Sequence, residues 1–118
     1  MIDLLNETAD RRLGYARKWL ARNRLRQMWI SPVTLAEVLE GADDPEYVRE
    51  YLAAYRWQGI HHQQAEMAAL MQRRAQHRMG EHDAWQAAIA LRMGASVVGH
   101  DPKAFARLGD FYEDHWVV

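Results

Sequence analysis

A chain of 118 residues, 49% hydrophobic and 26% charged, is long enough to bury one core and has the balance of a folded globular protein, which excludes a disordered or fibrous chain. Its formal net charge of -1 provides no whole-molecule field for a polyanion, so a nucleic-acid partner must be held by a local patch or through bound metal. Cysteine is absent, which excludes disulfides, thiolate catalysis and cysteine-ligated zinc and agrees with a reducing compartment.

Residues 2 to 26 read as helix interrupted near Asp10, with Leu13, Ala16, Leu20 and Leu25 at helical spacing. Between Arg11 and Arg26 the chain carries Arg11, Arg12, Arg17, Lys18, Arg22, Arg24 and Arg26 with no acid among them. Such a stripe either binds phosphates or is a solvated face whose long stems cover apolar surface. Met28, Trp29 and Ile30 form a short buried strand, and Ser31-Pro32 caps and opens the next helix, which runs to Gly41. Asp44-Pro45 starts a further helix with Val48, Leu52 and Tyr55 on one face before Gly59, and a weak strand is expected around Ile60.

Residues 63 to 78 are strongly helix-forming, with Ala65, Ala68, Ala69 and Met71 expected to face the core and Gly80 closing the segment. His82 to Met93 reads as a helix ending at Gly94, followed by a short buried strand from Ala95 to Val98. His100-Asp101-Pro102 opens a helical turn through Phe105, and Phe111 to Glu113 suits a last edge strand before the His115-Trp116 tail. Short apolar runs alternating with helices predict an α/β fold with a short, mainly parallel sheet, because crossover helices return the chain to the same end. One domain over residues 1–118 is expected. So few strands leave a doubly wound sheet short of its usual central strand. No apolar run approaches about 20 residues and no basic start precedes an apolar core, so neither a membrane span nor a signal peptide is expected and the location is read as cytoplasmic.

In such a sheet the carboxyl ends of the strands and the starts of the following helices share one edge, where sites are usually placed. Glu37, Asp83 and Asp101 map there. Crowded carboxylates repel unless protons or cations compensate, and oxygen ligands without cysteine suit Mg²⁺ or Mn²⁺, which points to metal-assisted phosphodiester hydrolysis. Each acid also has a plain structural role open to it. Asp83 and Asp101 stand where helix caps stand, Glu37 lies at a helix boundary face, and Glu81 suits an exposed first turn.

Several runs resemble one family. Ile30-Ser-Pro-Val-Thr-Leu-Ala-Glu37-Val-Leu-Glu-Gly41 resembles the PIN-domain segment that carries its second acidic residue, and Gly80-Glu-His-Asp83-Ala-Trp-Gln-Ala-Ala-Ile-Ala-Leu91 resembles the family's G-E-N-D-x-W-I-A-A helix start. Gly94-Ala-Ser-Val-Val-Gly-His-Asp101 follows in order, and Phe111-Tyr-Glu-Asp-His-Trp116 is similar to the closing strand. The family often carries an acid directly before Phe105, where this chain has Ala104. Met1-Ile-Asp-Leu-Leu-Asn resembles the residues just after the family's L-D-T-N motif, which is itself absent.

The resemblance implies a PIN-like three-layer α/β/α sandwich whose first central strand, with its aspartate, is missing from this chain. The start is then late, truncated, or that of a degenerate member that assembles its sheet differently. It further implies a VapC-type, Mg²⁺-dependent (or Mn²⁺-dependent) endoribonuclease with Glu37, Asp83 and Asp101 as catalytic metal ligands. The partners would be RNA, a cognate antitoxin and a second copy in a homodimer. Glu81 and His82 are possible auxiliaries, and Arg11, Arg12 and Arg22 possible RNA or antitoxin contacts. A catalytically inactive PIN-like binding module is the alternative. A receiver-like phosphoacceptor would need a lysine after a late strand, where this chain has Gly99-His100. The six histidines show no metal spacing on one helix face. Trp19, Trp29, Trp57, Trp85 and Trp116 read as core or interface anchors before base-stacking platforms.

Overall fold

The structure, a computed structural model, describes residues 1–116. The first helical stretch divides into α1 (Ile2–Ala9) and α2 (Tyr15–Arg22). Arg11 turns the chain at φ 54, so the apolar spacing read across the break loses its phase. Leu13 and Leu25 lie outside both helices and are 61% and 95% exposed, while Trp19 is buried instead. Gly14 gives α2 no side-chain cap; the buried Glu7 supplies one, accepting from the backbone N–H groups of Ala16 (3.1 Å) and Arg17 (2.9 Å). A Cβ at residue 14 would fall 2.5 Å from the Glu7 carboxyl carbon, so only glycine lets that carboxylate reach the helix end.

Strand β1 (Trp29–Ile30) runs into α3 (Pro32–Glu40) through Ser31, whose hydroxyl accepts from the Thr34 N–H at 3.4 Å. Asp44 opens α4 (Pro45–Leu52) in the same way, accepting from the Tyr47 N–H at 3.2 Å. That helix stops well before Gly59, and Tyr55 packs on the core from beyond its end. The next strand, β2 (Arg56–Trp57), precedes the expected position near Ile60, which is exposed. Pairing sets it there: the Arg56 and Gln58 N–H groups donate to the carbonyls of Met28 and Ile30.

Helix α5 (His62–Arg74) ends ahead of Gly80 because Gln72 takes over the backbone of the next loop, accepting from Met79 N–H (2.9 Å) and donating to its carbonyl (3.0 Å). Ala68 is buried as expected, but Ala69 is exposed and Gln64 takes a buried position. Helix α6 (Glu81–Met93) buries Ala84, Ala87, Ala88, Ile89 and Ala90. Its small side chains let neighbouring elements approach from more than one side, and Gly94, at φ 66, supplies the left-handed stop. Strand β3 (Val97–Gly99), α7 (Pro102–Phe105), a 3₁₀ segment (Ala106–Phe111) and β4 (Tyr112–Asp114) complete the described chain.

The fold is α/β with short parallel strands, but the sheet comes in two pieces. β1 pairs with β2 and β3 with β4, both in parallel. Each pair has its own core. One is built on Leu5, Ile30, Val38, Val48 and Leu52, the other on Met79, Ala84, Ala87 and Phe105. Replacing Glu7 with Ala strips α2 of its charged cap, and we expect a loss of about 1 to 3 kcal/mol in urea unfolding. A change below about 0.5 kcal/mol, ordinary for a surface site, would show that the cap contributes nothing.

Candidate active site

Between β1 and β3 lies an open cleft of about 890 Å³. Its walls are apolar where Leu4, Trp19, Val38 and Ile89 face it, and its rim is acidic where Glu37, Asp83 and Asp101 do. The rim arises from chain direction: Glu37 sits in the helix that follows β1, Asp101 directly follows β3, and Asp83 lies in the first turn of α6. All three residues expected at one edge therefore line one cleft.

The local settings differ. Glu37 is half-buried and accepts from His82 Nδ1 at 3.1 Å and from Gln86 Nε2 at 3.3 Å, so its carboxylate ties α3 to α6. Asp101 is exposed, and one oxygen accepts from the Ala104 N–H at 3.2 Å, so it caps α7 while lining the cleft. Asp83 is not a cap, since Gly80 holds that position, and its side chain has no hydrogen-bond partner among the described residues. Burial pushes the Asp83 carboxyl above the usual range, the charges of Asp101 and Glu37 push it further, and His82 opposes them. Mutual repulsion of this kind is what a bound divalent cation relieves.

Among the described residues, no three His, Asp or Glu side chains converge closely enough to hold a metal ion. The carboxylates share a rim and feel one another's charge, but as placed they do not fit a coordination shell. Of the auxiliary candidates, His82 holds Glu37, while Glu81 is exposed and does not line the cleft. Arg11, Arg12 and Arg22 are exposed away from it. Arg26 does line it, paired with Glu113 and lying 5.5 Å from the Trp19 ring centroid. Gln86 escaped the sequence reading, although its position beyond Asp83 and His82 on one helix face signals it. Asp3 also lines the cleft, accepting from His115 Nε2 at 3.0 Å and Trp116 Nε1 at 3.4 Å. The tryptophans divide: Trp19 is buried, Trp85 half-buried, and Trp29, Trp57 and Trp116 are exposed.

A raised carboxyl pKa means that ionised Asp83 is less favourable in the folded chain than in the unfolded one. Its contribution to stability is lost as pH rises from the unfolded value, about 3.9, through the raised folded value. Asp83→Asn is therefore expected to be more stable than the parent near pH 7 and equal to it near pH 3, as measured by urea unfolding. A gain of the same size at both pH values would show that charge is not its cause.

No curated protein matches the chain. The family model for the PIN domain matches residues 1–110, which takes in β1, α3, α6, β3 and all three rim acids. PIN domains are generally metal-dependent nucleases. No helix among the described residues is long and apolar enough to cross a membrane. The chain belongs to the PIN-domain family.

Proposed function

We propose that the chain is a Mg²⁺-dependent endoribonuclease of the VapC type, with Mn²⁺ able to substitute. In this reading it is the toxin of a type II toxin–antitoxin pair, acting on RNA in the cytoplasm as a homodimer and neutralised by a cognate antitoxin. The observation that carries the reading is that Glu37, Asp83 and Asp101 line one rim of the cleft, where burial first and then the charges of Asp101 and Glu37 push the Asp83 carboxyl up. Oxygen-only donors of this kind suit a hard divalent cation, and such ions serve phosphodiester hydrolysis. Glu37, Asp83 and Asp101 are the proposed ligands. His82 and Gln86 act as positioning residues that aim the Glu37 carboxylate, and Glu81 is an auxiliary acid. Arg11, Arg12 and Arg22 are proposed to meet RNA phosphates or the antitoxin. Exposed Tyr47 and Trp57 supply the aromatic surface that protein interfaces favour.

A second reading, an inactive PIN-like binding module, is favoured by one observation: the rim acids stand apart from metal-holding geometry. RNA cleavage with and without Mg²⁺ separates the two. The nuclease reading expects cleavage only with the metal, lowered on the order of 100-fold or more in Glu37→Gln or Asp83→Asn. Gln86→Ala should lower it about 10-fold, the scale of an outer positioning group. Cleavage that survives both carboxylate substitutions would remove these residues from the chemistry, and no cleavage under any condition would favour the binding module.

A further inference from the structure

A rim that acts on a phosphodiester and is itself acidic cannot supply the affinity for that polyanion. Glu37, Asp83 and Asp101 repel it, and the formal net charge of -1 offers no attraction from the molecule as a whole. The hold on such a strand has to come from positive charge beside the rim. Arg11, Arg12 and Arg22 are exposed away from the cleft, but a second concentration of cations lies next to the acids.

This patch is assembled from two stretches distant in sequence. From Met67 to Gly80 the chain carries Arg73, Arg74 and Arg78 with no acid, and from Pro102 to Gly109 it carries Lys103 and Arg107 with none. All five cations are exposed. The first stretch takes in the end of α5 and the loop into α6, and the second takes in α7 and the start of the 3₁₀ segment. Two contacts bring them together. Arg107 Nη1 donates to the His77 carbonyl at 3.1 Å, and Met79 is buried in the same core cluster as Phe105. Like charges gathered in this way repel one another, and among the described residues none of the five lies in an ion pair that would offset the repulsion.

The patch meets the rim on two sides. Lys103 lies on the helical turn that Asp101 caps. Arg78 precedes Gly80, which opens α6, and a Cβ at residue 80 would fall 3.0 Å from Asp83 Oδ2. The Asp83 carboxylate therefore lies over the end of the loop that carries Arg78.

We propose that this patch is a track for an RNA backbone. A single strand lies across Arg73, Arg74, Arg78, Lys103 and Arg107 through its phosphates and passes from there onto the rim at Asp83 and Asp101. That the strand continues onto the rim rests on the nuclease reading; its hold on the patch does not. Phosphates carry no base identity, so the track is tolerant of sequence. Charge alone would also attract an acidic protein segment, but continuity with a rim suited to phosphodiester chemistry favours RNA.

The test is fluorescence anisotropy of the full chain with an end-labelled oligouridylate of about 12 nucleotides, in EDTA, between about 50 and 200 mM salt. Each phosphate contact contributes roughly 0.7 to the slope of log affinity against log salt. Arg74→Gln/Arg78→Gln/Lys103→Gln is expected to lower the slope by about 2 and to weaken binding on the order of 10-fold at the lowest salt. Arg74→Lys/Arg78→Lys, which keeps the charges, should retain most of the slope, and Arg49→Gln on α4 should not change it. An unchanged slope in the triple variant, or an equal loss per charge in Arg49→Gln, would overturn the track. An acidic peptide of alternating Asp and Glu that binds as tightly as the oligonucleotide would give the patch to a protein segment and overturn RNA as its occupant. Cleavage in Mg²⁺ scores the nuclease reading separately. Cleavage with an unchanged slope would remove the track and leave that reading, whereas the expected slope change without any cleavage would uphold the track and count against the reading.

Discussion

The backbone edges of β1 and β3 face one cleft without reaching each other, and the rest of the molecule is arranged around that gap. Sheets ordinarily hold together through inter-strand hydrogen bonds, and a pair of strands alone is marginal in water. Here the two parallel pairs are joined by helices and by side chains. Glu37 links α3 to α6 through His82 and Gln86, Arg26 reaches Glu113 on β4, and Asp3 at the start of α1 meets His115 beyond β4. The Arg26 and His82 contacts are largely exposed, and exposed ion pairs contribute little. Helix α6 is the element that meets both halves, lying against α3 on one side and against β3 and α7 on the other.

The split sheet also accounts for the state of the acidic rim. Parallel strands place the residues that follow them at one edge, which brings Glu37 and Asp101 to the same cleft as Asp83. The positions of these side chains are set by the separation of the two halves, so the acids share an electrostatic environment without closing on one point. Glu37 is held by α6, Asp101 by its own helix start, and Asp83 by neither. Of the three, Asp83 has the least to lose by turning toward a cation.

Much of this was legible in the sequence, where local chemistry decides the outcome. Ser31-Pro32, Asp44-Pro45 and Gly94 mark helix ends in the structure because caps and left-handed stops act within a few residues. The rim acids were legible from chain direction, and Asp101 as a cap from its place before Pro102. Long-range effects were not. Leu13 and Leu25 looked like core because a helical period was read through a break that Arg11 makes at positive φ. The cap supplied by Glu7 acts across a loop, the position of β2 is set by pairing with β1, and the division of the sheet depends on how the pairs pack. No local pattern encodes these.

The central claim is that Glu37, Asp83 and Asp101 form one cation-responsive rim on the cleft. The most direct measurement is the broadening of amide NMR signals by substoichiometric Mn²⁺, followed by competition with Mg²⁺. The account predicts that the signals of these three residues and their neighbours in α3, α6 and α7 broaden together first and recover as Mg²⁺ is added. Broadening centred elsewhere, or reaching one of the three without the others, would contradict it.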